Sequence, residues 1–265
     1  GYKRNAWPMR QIAGAMAGLK LPAGEGSAEE LRLALMLGIA GLMPEDWRRS
    51  DQRRSKYLGQ LWSLWWRTRE AARDHLLPPE IWQFAGVRPV NRPERRLALA
   101  AQWLSADRLV SEIGEWCESE LGAKQSAAAL QRILAQRTPS FWEDHCTFSA
   151  RALDRSVPLI GKSRLTELAV NTILPWLHAR ATAGRNRVLA ERILGAYLEW
   201  PKAEDNSVLR LARQRLLGTR SARVLKTAGQ QQGLLQIVRD FCACTDSLCS
   251  DCPFPDYVKR LVTPG

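Results

Sequence analysis

The stretch Ser27-Ala28-Glu29-Glu30-Leu31-Arg32-Leu33-Ala34-Leu35-Met36-Leu37-Gly38-Ile39-Ala40-Gly41-Leu42-Met43-Pro44 decides the class of this chain. Ser27 with Glu30 has the spacing of a capping box, in which a hydroxyl and a carboxylate each satisfy an amide at a helix start. Leu31, Ala34, Leu35 and Gly38 then recur at helical spacing, and the segment is predicted to end near Gly41 to Pro44. Its apolar run, Leu33 to Met43, is interrupted by glycines and falls short of the ~18–20 apolar residues that cross a bilayer. The expectation is a core helix and no membrane partner.

The same spacing continues outward. A long helix is predicted from about Pro44 or Ser50 to His75, with Tyr57, Leu58, Leu61, Trp62, Trp65 and Trp66 as its apolar stripe and Pro78-Pro79 as its stop. Pro93 suits a first helical position, where an amide would be unpaired anyway. The helix it opens carries Leu97, Ala98, Ala101, Trp103 and Leu104. Further helices are predicted at 106–121, 127–136, 139–150 (with Thr138 as cap), 163–183 (kinked or split by Pro175), 187–200, 207–217 and 233–241. Strand alternation, solenoid repeats and low-complexity linkers are not found. The fold class is therefore all-α, an irregular multi-helix bundle of about ten helices with a short Cys-rich C-terminal loop. We read residues 1–240 as the helical domain, with room for two sub-bundles meeting near 150–160, and 241–265 as the Cys-rich segment.

At 265 residues, with 45% hydrophobic and 25% charged side chains, the chain has the composition of a folded protein and not of a disordered one. Its charge is lopsided: 39 Lys and Arg (31 of them Arg) against 27 acids leave a net +12. Arg binds phosphate and carboxylate bidentately and stacks on flat rings, so the excess suggests a polyanion; codon bias in a GC-rich genome is the bland alternative. Two stretches concentrate it. Arg48, Arg49, Arg53, Arg54 and Lys56 crowd the start of the long helix, and Asn206 to Arg239 holds seven cations, Arg210 and Arg213 among them, and no acid. Such runs are the footprint of a DNA or RNA binder, or else a solvated surface. Of the 11 tryptophans, Trp7, Trp62, Trp65, Trp103, Trp116 and Trp176 occupy apolar helical positions and are expected in the core. Trp47 and Trp66, beside arginines, are the candidates for stacking on bases.

Four thiols, Cys242, Cys244, Cys249 and Cys252, fall within eleven residues. Thiolates at Cys-x-x-Cys spacing suit zinc. Cys242, Cys249 and Cys252 also resemble three of the four iron–sulfur ligands of helix-hairpin-helix DNA glycosylases, but the fourth position is Val258, which cannot ligate. Zinc, an iron–sulfur cluster and free thiols all stay open. Gly161-Lys162-Ser163 lacks the upstream glycine of a phosphate loop, since Ser156 stands there, yet Lys162 and Arg164 at a helix start can meet a phosphate. The histidines, His75, His145 and His178, show no ligand or nucleophile spacing, and Asp144-His145-Cys146 is adjacency in sequence and not a triad. No catalytic constellation is visible. The lack of a leader points to a cytoplasmic chain with reduced thiols, and the start at Gly1 without Met to a part of a longer protein.

Several motifs together resemble the bacterial domain-of-unknown-function 2851 family: Arg88-Pro89-Val90-Asn91-Arg92-Pro93 with Arg96-Leu97-Ala98; Leu159-Ile160-Gly161-Lys162-Ser163-Arg164 with Asn171-Thr172-Ile173-Leu174-Pro175; and Gln232-Gly233-Leu234-Leu235-Gln236 with Phe241-Cys242 and Cys249-x-x-Cys252-Pro253. Gly1-Tyr2-Lys3-Arg4-Asn5 and Gly38-Ile39-Ala40-Gly41-Leu42-Met43 fit it too. The resemblance implies that this is the helical C-terminal part of a longer protein whose preceding half is nuclease-like. It implies no role for any residue. Read on their own chemistry, Arg88, Asn91, Arg95 and Arg96 present guanidinium groups to phosphate from a proline-stiffened loop, or else Arg88 and Asn91 only tie that loop to backbone carbonyls. The sequence thus predicts a non-catalytic helical module, nucleic-acid-binding and accessory to that half, with a protein-interaction scaffold as the alternative.

Overall fold

Leu33 to Ala40 are buried one after another, so α2 (Ala28–Ile39) has no solvent face along most of its length and every neighbour packs onto it. The computed structural model describes residues 4–21, 27–44, 52–119, 122–135, 141–218, 224–242 and 251–262. The chain forms two units, one from residues 1–110 and 134–161, the other from 111–133 and 162–265. Among the described residues there is no strand, only an isolated antiparallel bridge between Pro201 and Thr227. The architecture is all-α.

In the first unit, α1 (Ala6–Gly18), α3 (Gln52–Thr68) with a 3₁₀ extension (Arg69–His75), and α4 (Pro93–Ser105) surround α2. Ser27 stands at the N-cap of α2 as expected, but its side chain makes no cap bond, so the predicted capping box does not form. The other end closes as predicted. Gly41 takes φ +65°, and Leu42 N–H reaches Leu37 O (2.9 Å) while Gly41 N–H reaches Gly38 O (3.0 Å), which satisfies carbonyls that the helix leaves open. A Cβ on Gly41 would also lie 2.8 Å from Leu77 O. Gly38 lies against the Trp65 ring, so its missing side chain is what lets α2 and α3 approach. Pro93 opens α4 as expected, and Pro78-Pro79 follow the 3₁₀ turn.

The helix expected at 139–150 shrinks to α7 (Phe141–Asp144). Beyond it the carbonyls of Trp142 and His145, which would carry the helix on, accept instead from the Arg95 side chain, and the chain turns off. Thr138 lies outside the described residues.

The second unit contains most of α5 (Leu109–Glu118) and α6 (Ala123–Leu134), then α8 (Lys162–Leu168), α9 (Leu174–Ala183), α10 (Arg187–Glu199), α11 (Ser207–Leu216), α12 (Ala228–Ile237) and α13 (Phe254–Val262). Asn186 and Asn206 cap α10 and α11, accepting from Leu189 N–H (3.1 Å) and Leu209 N–H (2.8 Å). α12 starts earlier than predicted because Thr227 and Gln230 form a capping box. α13, inside the segment expected to be a Cys-rich loop, is a further helix, held by Phe254 and Tyr257 against Phe241. Trp200 is fully buried and meets Trp116 edge to face at 6.3 Å.

Between α8 and α9 the turn Ala169–Ile173 is a π-helix, with Leu174 N–H reaching Ala169 O five residues back. The wider turn admits the Pro175 ring, which in a regular helix would collide with the carbonyl four residues earlier. It also rotates everything beyond it by about one residue, ~100°. Hence Trp176, which regular spacing places in the core, is 52% exposed. Trp7 is likewise exposed, against expectation, whereas Trp116 is buried and Trp62, Trp65 and Trp103 are half-buried.

A Cβ at position 38 would lie 2.2–2.4 Å from three Trp65 ring atoms. Gly38→Ala is expected to cost about 1–3 kcal/mol by forcing α2 and α3 apart, read as a lower thermal midpoint in circular dichroism. An unchanged midpoint would show that the contact relaxes freely.

Candidate nucleic-acid interface

α3 carries Arg53, Arg54, Lys56 and Arg67 and no carboxylate. Leu58, Leu61 and Leu64 bury one side of it. Lys56, Gln60, Ser63 and Arg67 line the opposite, exposed side as a row about 16 Å long at 1.5 Å per residue. Beside the row, Trp66 is 54% exposed, and the Arg69 guanidinium lies 3.6 Å over its ring. Trp62 stacks on Trp66 at 6.2 Å between centroids and is pinned by its Nε1–H, which donates to Pro44 O (2.9 Å). At the other end Arg54 donates to Ala150 O (2.9 Å), which holds the loop bearing the exposed Arg151 and Arg155 beside the first turns of α3. Among the described residues Lys56, Arg67, Arg69, Arg151 and Arg155 form no ion pair. Arg73 pairs with Glu70 at 3.4 Å, but both are largely in water, where such a pair contributes little.

The candidates read from the sequence fall in both units. Arg48 and Arg49 lie outside the described residues, as does the side chain of Arg53. Arg88 is exposed on its loop. Asn91 Oδ1 accepts from Arg96 Nη2, and Arg96 also donates to Leu159 O (3.5 Å), so both hold the loop in place. In the second unit Lys162 and Arg210 are exposed, while Arg164 pairs with Glu167 and Arg213 with Asp205. Cys242 and Cys252 are half-buried, and Cys244 and Cys249 lie outside the described residues. Among the described residues no three His, Cys, Asp or Glu side chains gather as metal ligands.

Arg95 corrects the expectation of a phosphate-facing guanidinium. It is 0% exposed, and it donates to Trp142 O, His145 O (2.9 Å), Val157 O (2.9 Å) and Pro158 O (3.2 Å). Burial lowers its pKa, and the neighbouring Arg96 adds to this while Cys146 and Glu143 oppose it. Glu94 beside it is also buried, which raises its pKa, with Arg92 at 3.6 Å as its charge partner. His145 Nδ1 lies 3.0 Å from Phe141 O and must donate to it, and the imidazole stacks on the Phe141 ring at 4.0 Å. It serves packing. Cys117 is pushed up to about 11 by burial and by Glu118, so its thiol stays protonated at neutral pH and is a poor nucleophile. The spacing of Arg95 from Ala98 and Leu99, three and four residues on, was the signal that it lies on the buried stripe.

A family profile described as a protein of unknown function (DUF2851) matches residues 1–207. No curated protein and no solved structure matches the chain.

Replacing Arg95 would leave its buried carbonyls without donors, at about 1–3 kcal/mol for each that finds no water. Arg95→Met is therefore expected to lower the melting temperature by about 10 °C. Arg95→Lys should recover little, because an ammonium cannot span the forked set. A melting point near that of the parent for Arg95→Met would mean that the bonds carry no net stability.

Proposed function

The chain belongs to the DUF2851 family, and because that membership assigns no activity, we propose from the site itself that the chain is a non-catalytic, nucleic-acid-binding helical module. The observation that carries this reading is the outward side of α3: Lys56 and Arg67 on a helix free of acids, flanked by arginines that form no ion pair among the described residues and by an exposed indole. Phosphate contacts by Lys and Arg release condensed counterions, and aromatic groups give bases a surface. DNA and RNA share both features, so the reading covers either. A nuclease-like preceding half, to which this module would be accessory, belongs to the same proposal. A docking scaffold is the second reading, favoured by exposed Val188, Leu194 and Leu198 on α10; a scaffold would ignore polyanions.

With four phosphate contacts (Lys56, Arg67, Arg151 and Arg155), affinity for DNA or RNA should fall about 10²-fold between roughly 50 and 200 mM salt. Fluorescence anisotropy with labelled DNA and RNA measures this. Lys56→Glu with Arg67→Glu should weaken binding and flatten the salt slope by about two contacts. The reading fails if no oligonucleotide binds at low salt, or if the double reversal changes neither affinity nor slope.

The Cys242, Cys244, Cys249 and Cys252 segment is proposed to hold zinc, since thiolates in this spacing form a soft tetrahedral donor set. Elemental analysis of protein purified under reducing conditions should find about one zinc per chain, lost in Cys249→Ser with Cys252→Ser. Iron with a brown colour would favour a cluster, and no metal would leave free thiols.

A further inference from the structure

At the C-terminal end of α3 three flat groups succeed one another. Trp62 is fixed by its bond to Pro44 O and stacks on Trp66 at 6.2 Å, with the rings 28° apart. The Arg69 guanidinium then lies 3.6 Å over the Trp66 ring. Arg69 is exposed and meets no carboxylate among the described residues, so its charge is not spent on an ion pair. Half of the Trp66 surface stays in water although the apolar side of α3 has core to join. A guanidinium is flat and weakly hydrated on its faces, so it passes a stack on as well as ending one. Bases stack on aromatic rings and on guanidinium planes alike. In a duplex the faces of the bases are covered by their neighbours; an unpaired strand offers them. The row Lys56, Gln60, Ser63 and Arg67 leads along the helix toward this stack, a path on which a backbone can run while one base leaves it for the rings.

We infer that Trp62, Trp66 and Arg69 form a base-stacking subsite, and that the ligand of the α3 face is a single strand and not a duplex. The inference rests on the nucleic-acid reading above and adds to it the form of the nucleic acid. Trp66 and Arg69 form the contact surface, and Trp62 positions Trp66 from beneath.

The test uses the full chain and three labelled probes of equal length: an oligothymidylate, an abasic strand with the same backbone, and a DNA duplex. The parent should bind the oligothymidylate most tightly. Trp66→Ala should lower its affinity for that strand about 5- to 150-fold. The same variant should leave the abasic strand, the duplex and the salt slope unchanged, and Trp66→Phe should restore most of the loss. Because Trp66 is exposed, the variant is expected to keep the parent's melting curve, which is recorded alongside. Equal losses on all three probes, no loss on the oligothymidylate, or a parent that holds duplex as tightly as single strand would overturn the stacking subsite and leave the cationic face standing. A parent that binds none of the probes at low salt overturns both.

Discussion

A guanidinium sealed from water has to find its hydrogen bonds in the backbone, and Arg95 finds them in four carbonyls that lie 47 to 63 residues further along the chain. This is the constraint around which the first unit is arranged. It joins α4 to the one-turn helix α7 and to the segment that leads to Gly161, and it stops α7 by taking the carbonyls that would extend it. Arg96 adds a bond to Leu159 O from the next position. The charge is held by dipoles, with no carboxylate bonded to it among the described residues, so one side chain gathers several stretches of the chain.

The outward face of α3 depends on a second contact of the same unit. Gly38 allows α2 to lie directly against Trp65, and the leucines of α3 then turn inward together. What remains outside is polar and cationic apart from Trp66. Local electrostatics thus derive from packing. Lys56 and Arg67 project outward because the apolar stripe of this helix is satisfied on the opposite side, and Arg54 binds a loop carbonyl and brings two more arginines near.

Much of this was legible from residue types. Pro93, Pro78-Pro79 and Gly41 punctuate the chain where helices begin and end, whereas the asparagine caps of α10 and α11 came from the structure. The all-α class followed from the spacing between them. The Trp66–Arg69 contact was foreshadowed by an indole lying among arginines. What was not legible had particular causes. Trp176 was assigned to the core by regular periodicity, and a single π-turn upstream moved it to the surface. Arg95 was taken for a surface group because its charge outweighed its position on the apolar stripe. Thr227-Ala228-Gly229-Gln230 carried a capping signature that the glycine obscured. Ser27 had the right spacing for a capping box whose bonds are not made. The pairing of Arg164 with Glu167 could be read from their i,i+3 spacing, whereas that of Arg213 was beyond reach, because Asp205 lies eight residues away across a helix start.

The first unit is discontinuous: the chain leaves it after residue 110 and returns at 134. During synthesis its early helices therefore emerge from the ribosome well before the carbonyls that Arg95 requires. At about 5–20 residues per second, several seconds pass with that guanidinium still hydrated and the leucines of α2 without their full cover. Nascent chains halted short of residue 161 would expose this surface to chaperones, and neither unit corresponds to a fragment obtainable by a single cut.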